Sequence, residues 1–421
     1  MQFLKILKSL YHNDTARNGT LFSFFSFLNK GLGFILLIII AGLLTPDGYG
    51  HLNIFNLTIT LISYFICFNS IGLISINFFT KYNDFNKTIN TIVILTGLCS
   101  TLLYVLITLL HKQLEVWTGL TYKFQIAALL YCALNVIVQI NLEIWRIQEK
   151  VVRYGLYTTI FATSNFLLTI IFILFLHKDW SGRIYAQLIV IFFFFIYSSF
   201  FLIKNQYLLK DPPSKRDFID CCKFGVPLIP HDISYWLRQG LDRIIINTYH
   251  STAFAGLFSF SFNIASVIQI LGDSFNATNS VFIYKNLSGN AQNPETIRKL
   301  RKQTFIMIIF FAIVTVLIYA LAIIFIPIIL PQYEDAKPFL IWQCLGCFFQ
   351  CVYLQFVNYI FFFKKTKVLM SITFTTSVIH AILSLILTKY SIMYTAYIST
   401  ISSFIIMICV YFYTRKLYKI I

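Results

Sequence analysis

Charge is what this sequence has least of. Only 12% of its 421 residues are Asp, Glu, Lys or Arg, and 16 acids stand against 33 bases. A soluble domain carries about twice that charged fraction. Long polar segments are also missing: the two longest connections, 204–224 and 276–303, are too short to hold a folded soluble domain. No carboxylate pair, metal-ligand cluster or nucleophile–base motif stands out, and His231 and His380 are isolated along the chain. The loops expected outside the membrane are short, and their acids are Asp47, Glu115, Asp179, Glu334 and Asp335. A membrane polymerase or glycosyltransferase would need a larger catalytic loop, so no enzyme is expected.

All nine cysteines fall in apolar runs or in the basic stretch holding Cys221 and Cys222, so no disulfide framework is expected. The stretch CLGCFFQC puts Cys344, Cys347 and Cys351 on one helix face. With no further ligand near, they read as small packing residues rather than a metal site. The N-terminal MQFLKILKSLYHNDTARNG lacks a cleavable-signal pattern: Lys5 and Lys8 break its apolar run and no small-residue site follows. It fits a short interfacial helix or an ordinary lead-in.

What fills the chain is apolar: 58% hydrophobic residues, with 45 Phe and 25 Tyr. Apolar runs of about 18 residues or more recur from end to end, each able to cross a bilayer as a helix. Twelve spans are predicted, at 20–44, 52–79, 89–110, 124–144, 155–176, 184–203, 225–249, 253–275, 304–330, 339–363, 367–388 and 391–413. The expected fold is an all-α integral membrane protein of about twelve transmembrane helices in two six-helix bundles. Its predicted parts are a segment 1–19, a lobe 20–203, a basic linker 204–224, a second lobe 225–413 and a tail 414–421.

Lys and Arg set the expected orientation. With both termini on one side, the segments on that side hold 24 of the 33 bases and the opposite segments hold 6, while Lys30, Arg238 and Arg243 lie within spans. The positive-inside rule then places both termini in the cytoplasm. Because the bases lie between apolar spans, the net charge of +17 points to anionic lipid head groups and not to nucleic acid. The stretch IIIAGLLTPDGYG after the first span aligns with IIINTYHSTAFAG after the seventh at an offset of 206, pairing Thr45 with Ser251 and Gly50 with Gly256. Six spans per half would make this repeat parallel, as in several transporter folds.

The segment FGVPLIPHDISYWLRQGLDRIIINTY, residues 224–249, is membrane-length yet holds two prolines, a histidine, two aspartates and two arginines. At about 100° per residue, His231, Asp232, Ser234, Tyr235, Arg238, Gln239, Asp242 and Arg243 share one half of the wheel. Ile233, Trp236, Leu237, Gly240 and Ile244 fill the other half. Ionisable groups at bilayer depth are costly unless paired or hydrated, so this helix is expected to line a water-filled cavity. A cluster that neutralises itself, with Arg238 paired to Asp242 at i, i+4, is the alternative. Lys30 shares a face with Ser23, Ser26 and Gly33 near the middle of the first span, too deep to snorkel. Lys30, Arg238 and Arg243 against Asp232 and Asp242 leave the interior positive, with Asp273 and Glu143 near span ends. A cationic cavity suits an anionic substrate: Arg grips phosphate with two parallel hydrogen bonds and Lys supplies a point charge.

FGVPLIPHDISYWLRQGLDRIII resembles the seventh span of Wzx-type O-antigen and capsule flippases, of the multidrug/oligosaccharidyl-lipid/polysaccharide exporter superfamily. The shared features are its Pro-Leu-Ile-Pro entry and its Asp-Arg near the far end. AGLLTPDGYG (41–50), LEIWRIQEK (142–150) and LPQYEDAKPFLIW (330–342) resemble the family's loops after the first, fourth and ninth spans. The likeness covers the whole chain in topology, through degenerate motifs. It implies a flippase of the bacterial inner membrane. Such a protein turns an undecaprenyl-diphosphate-linked oligosaccharide from the cytoplasmic to the periplasmic leaflet by alternating access.

Carried over, the resemblance puts Lys30, Arg238 and Arg243 against the diphosphate or acidic sugars. Asp242 would orient Arg238 or take part in coupling. Asp232, Gln239, Tyr235, His231 and Asp273 would line the cavity or couple, and Arg146, Lys150 and Arg153 would mark the cytoplasmic entrance. No cofactor is implied, a coupling H+ or Na+ being left open. The implied partners are the polyprenyl-diphosphate-linked glycan and membrane lipids, then polysaccharide polymerase and chain-length machinery. A lipid II flippase or a cation-coupled multidrug antiporter of the same superfamily is the alternative. The excess of Lys and Arg disfavours cationic drugs, and twelve spans leave no room for the extra helices of a lipid II flippase.

Overall fold

In hydrocarbon a backbone N–H or C=O finds no water, so a long apolar segment pairs its own groups as a helix. The computed structural model describes residues 14–80, 85–208, 212–290, 293–363 and 365–418, which are helical nearly throughout. In chain order the helices are α1 (Asp14–Leu43), α2 (Pro46–Ile66), α3 (Gly72–Thr80), α4 (Phe85–Thr118), α5 (Tyr122–Ile147), α6 (Val151–Ile170), α7 (Trp180–Lys204) and α8 (Lys215–Gly225). Then follow α9 (Ile229–Gln239), α10 (Leu241–Tyr249), α11 (Thr252–Asn290), α12 (Pro294–Ile329), α13 (Lys337–Phe362), α14 (Thr366–Leu387) and α15 (Ile392–Leu417). A π turn, Ile171–Phe175, continues α6, and 3-10 turns at Val226–Leu228 and Pro331–Ala336 precede α9 and α13.

Local sequence sets several of the starts. Ser214 and Asp217 form a reciprocal capping box at α8. The Asn293 side chain accepts from Glu295 N at α12, and Pro294 takes the first helical position, where its missing N–H is not needed. Ser391 accepts from Met393 N at α15.

Among the described residues nine helices are long and apolar enough to cross a bilayer: α4, α5, α6 with its π turn, α7, α11, α12, α13 with its 3-10 turn, α14 and α15. They fall on nine of the twelve predicted spans. The other three are helical in a different way. The apolar part of α1 is the shorter Gly31–Leu43. The second predicted span, 52–79, is divided between α2 and α3, and the seventh between a 3-10 turn, α9 and α10. In contrast α4, α11 and α12 run on for 34, 39 and 36 residues. Their polar flanks continue the same hydrogen-bonded spiral beyond the apolar run.

The chain forms two compact units. The first holds residues through Leu44, Ile54–Val116 and Leu120–Ile229; the second holds Thr45–Asn53, Trp117–Gly119 and the chain from Pro230 onward. In the first unit α1 packs on α6 and α5 on α7. Gly155 lies under the Phe25 ring, where a Cβ would collide, and Asn29 Nδ2 donates to Thr158 Oγ1 at 2.8 Å. In the second unit α13 packs against α11, α12 and α15. Val352, Phe356, Ile360, Ile406 and Val410 build the core there.

Thr45–Asn53 is held in the second unit by a contact between backbones. A Cβ placed on Gly50 would stand 3.0 Å from Gly256 N, and one on Gly256 would stand 3.0 Å from Gly50 N. These are the glycines that the offset of 206 pairs, so equivalent positions of the sequence repeat touch. Next to them Tyr49 is fully buried and its hydroxyl accepts from Asn263 Nδ2 at 2.7 Å. Its ring meets Tyr333 edge-on.

Candidate functional site

The polar segment of residues 224–249 opens with its two prolines at helix starts, Pro227 in the 3-10 turn and Pro230 as the second residue of α9. Neither position needs an N–H. Asp232 lies in the first turn of α9, where a carboxylate complements the positive end of the helix. The helix stops at Gln239 and resumes at Leu241, with Gly240 between. This break changes the backbone pairing: Arg243 N bonds to Gly240 O at 3.2 Å rather than to Gln239 O. The Arg243 side chain repairs the loss, because its Nη1 donates to Gln239 O. Its Nε donates to Ser259 Oγ on α11 at 3.1 Å, and the guanidinium lies 4.7 Å from the Phe262 ring centre. Arg243 is buried and clamps the break to α11.

Asp242, the adjacent residue, reaches a different helix. Its Oδ1 accepts from Ser384 Oγ at 2.8 Å and lies 3.1 Å from His380 Nε2, both on α14. His380 Nδ1 lies 3.1 Å from Ser402 Oγ on α15. Asp242, His380, Ser384 and Ser402 are all buried and link three helices. The alternative pairing of Arg238 with Asp242 is not formed, because the break at Gly240 takes the two residues out of one helical register. His380, isolated in the sequence, is a partner of Asp242 in the fold.

Arg238 stays on α9, where its Nε reaches Ser234 O at 3.4 Å. Among the described residues no carboxylate stands at salt-bridge distance from it. Arg238 lines a pocket of the second unit with Gln239, Gln269, Gln343, Gln350, Ser399 and Ser403. Gln239 Nε2 donates to Gln269 Oε1 at 3.5 Å, and Gln269 Nε2 to Tyr235 Oη at 3.4 Å. Gln343 is 3% exposed and its Nε2 has no acceptor. The pocket therefore presents a guanidinium and an unspent amide donor, with no carboxylate in its lining. Its volume of about 20 Å³ admits about one water molecule, so it must widen before a larger ligand enters. A cavity of about 480 Å³ belongs to the first unit and contains none of these residues. Arg238 and the glutamines line the smaller of the two spaces.

The other predicted residues are dispersed. Tyr235 and Asp273 are exposed, and Asp232 is half-buried. At the predicted entrance Arg146 pairs with Glu143 at 2.5 Å, and Ser75 Oγ donates to the same carboxylate. Lys150 Nζ donates to Gln148 Oε1 at 2.7 Å, and Arg153 is exposed. The side chains of Lys30 and His231 lie outside the described residues. Cys344, Cys347 and Cys351 are buried free thiols, and Cys351 Sγ donates to Ile268 O at 3.3 Å. Among the described residues no three His, Cys, Asp or Glu side chains converge to hold a metal.

Two features went unread in the sequence although a signal existed. Thr373, Ser377, His380 and Ser384 follow one another at helical spacing along an otherwise apolar span, a buried polar stripe on α14. Gln343 and Gln350 likewise stand seven apart on one face of α13.

Repeated apolar helices in two helical units define a multi-pass helical membrane protein. Residues 15–282 match the family described as "Polysaccharide biosynthesis protein". That is more than half of the chain, which belongs to this family. It is similar to the Lsg locus protein 1 of Haemophilus influenzae, at 25% identity over 397 residues, 93% of this chain and 96% of that protein. Among solved structures, the lipid II flippase MurJ in an inward closed conformation superposes with a TM-score of 0.72 at 14% identity, over 94% of this chain and 87% of that one. An inward-facing multidrug resistance MATE family transporter of the MOP superfamily gives 0.69 at 14% identity, over 92% and 94%. The fold is the two-lobed helical fold of that superfamily.

Proposed function

We propose that this protein is a flippase for a lipid-linked oligosaccharide, and that Arg238 receives the anionic part of the substrate. The observation that carries the reading is the pocket of Arg238. Its guanidinium lacks a carboxylate partner among the described residues, Gln343 Nε2 lacks an acceptor, and the other polar groups of the lining are chiefly amides and hydroxyls, beside Phe262, Gly346 and Cys347. Such a lining offers hydrogen bonds to phosphate oxygens and sugar hydroxyls and nothing to neutralise a cationic drug. Family membership supports a sugar-bearing substrate. The MurJ-like fold agrees with a lipid diphosphate as its anchor.

On this reading the substrate is an undecaprenyl-diphosphate-linked repeat unit, moved from the cytoplasmic to the periplasmic leaflet of a bacterial inner membrane by alternating access. Both chain termini are cytoplasmic, and polymerase and chain-length machinery act on the product. Lys30 is the second cation in contact with the substrate, while Arg243 holds the broken helix that presents Arg238. Coupling falls to Asp242 with His380, a buried ionisable pair that, with Ser402, ties three helices together.

The test is surface glycan in a strain that depends on this protein for export. Arg238→Ala is expected to stop export at normal membrane level, and Arg238→Lys to restore it only in part, because Lys cannot form the bidentate contact. Full export in Arg238→Ala removes this pocket from transport. Undiminished transport in vesicles after collapse of both proton and sodium gradients removes coupling from Asp242.

A further inference from the structure

Apart from Arg153, which the resemblance put at the cytoplasmic entrance, the lining of the cavity of about 480 Å³ in the first unit has no place in the transport reading. The cavity is a groove between the end of α5, the start of α6 and the end of α7, lined by Trp145, Tyr157, Ile160, Phe194 and Tyr197, with Arg153 at its rim. Its walls are ring against ring: Trp145 with Tyr157 at 5.2 Å and Tyr157 with Phe194 at 4.7 Å between centres. The Tyr157 hydroxyl is spent inside the protein, lying 2.6 Å from Ser198 Oγ and donating to Phe194 O at 3.2 Å. The groove is thus apolar along its length. It also opens outward, since Ile160 is 55% and Tyr197 52% exposed, as expected for side chains that face lipid.

Two polar groups at one end lack partners. Arg153 has no hydrogen-bond or ion-pair partner among the described residues, whereas its neighbours are engaged: Arg146 by Glu143, and Lys150 by Gln148. Trp145 is 3% exposed and its Nε1–H has no acceptor. A buried donor without an acceptor is costly, and a single guanidinium in the same lining is a match for one phosphate. From Arg153, Leu156, Tyr157 and Ile160 share the groove face of α6 at i, i+3, i+4 and i+7. They carry it about 10 Å into the apolar zone at 1.5 Å per residue.

We propose that this groove holds an anionic phospholipid of the bilayer, its phosphate on Arg153 and the Trp145 indole N–H and one acyl chain along α6 and α7. A charged head at the basic end and a hydrocarbon chain along an aromatic, lipid-facing trough satisfy both halves of the site at once. A bilayer phospholipid fits better than a long polyprenyl carrier, because the groove is short and offers one cation. The assignment does not rest on the transport reading.

The test uses the full chain in vesicles and the fluorescence of Trp145, taken as the difference between wild type and Trp145→Phe. Phosphatidylglycerol with brominated acyl chains is compared with brominated phosphatidylcholine at equal mole fraction. Quenching of Trp145 by the anionic lipid is expected at about a tenfold lower mole fraction. That preference is expected to vanish in Arg153→Gln and to persist in part in Arg153→Lys, with melting temperatures unchanged. Equal quenching by the two lipids, or a preference that survives in Arg153→Gln, overturns the proposal. Relief of quenching by unbrominated polyprenyl diphosphate at a lower mole fraction than by unbrominated phosphatidylglycerol overturns it in favour of the lipid carrier.

Discussion

Arg238 and Arg243 lie five residues apart on one membrane-length segment and do opposite things. Arg238, on α9, faces glutamines and serines and keeps its guanidinium free of carboxylates among the described residues. Arg243, on α10, is consumed by its own fold: a broken helix, a serine and an aromatic ring. The same charge is left without a carboxylate in one place, among the described residues, and is a structural clamp in the other. What separates them is the interruption at Gly240, which frees Gln239 O and lets Arg243 cap it. A charge in a membrane helix is therefore not evidence of a binding role until its partners are known.

Four measurements break or sharpen that contrast. The largest effect belongs to transport: Arg238→Ala loses a charge-assisted contact of about 1.5–3 kcal/mol. Initial flipping rates should fall about ten- to a hundredfold in reconstituted vesicles while the melting temperature stays put. Next comes Arg243→Ala. Loss of its buried hydrogen bonds, with Gln239 O left unpaired and Ser259 keeping only its bond to Ala255 O, should cost about 3 kcal/mol. A lowered melting temperature in detergent and reduced membrane level report this. If the two variants melt alike, the division between ligand group and clamp is wrong. Asp242→Ala should cost about 1–3 kcal/mol, because it strands His380 and Ser384 in a dry interior. Asp242→Asn, which keeps an oxygen for Ser384, should recover much of that stability without recovering any ion coupling. The smallest effect is at Gln343. Gln343→Ala trims a buried side chain whose Nε2 has no acceptor, and should cost about 1 kcal/mol of stability and weaken substrate affinity a few-fold, read as a raised half-saturation for transport.

Much of the membrane architecture could be read from the chain. Apolar runs at 89–110, 124–144 and 391–413 became helices because hydrocarbon leaves backbone groups no other partner. The polar content of residues 224–249 also marked the unusual element. Its wheel assumed one unbroken helix, and there the reading failed: a glycine between Gln and Leu is compatible with a continuous span or a break. Neighbouring helices decide which. The stripe of Thr373, Ser377, His380 and Ser384 was visible by spacing alone, yet nothing in it named Asp242, which lies 138 residues before His380. Glu143 seemed a stray acid and turned out to hold Arg146 and Ser75.

By itself the sequence determined that the chain is helical, membrane-embedded and basic, and where its few buried charges fall. These follow from local composition and from the cost of unpaired polar groups in hydrocarbon. Tertiary structure alone decided which charges are spent and which remain available. Hydrogen bonds reach only about 3 Å; packing of α11 brings Ser259 to Arg243 and packing of α14 brings His380 and Ser384 to Asp242, while α13 and α15 supply glutamines and serines to the pocket of Arg238.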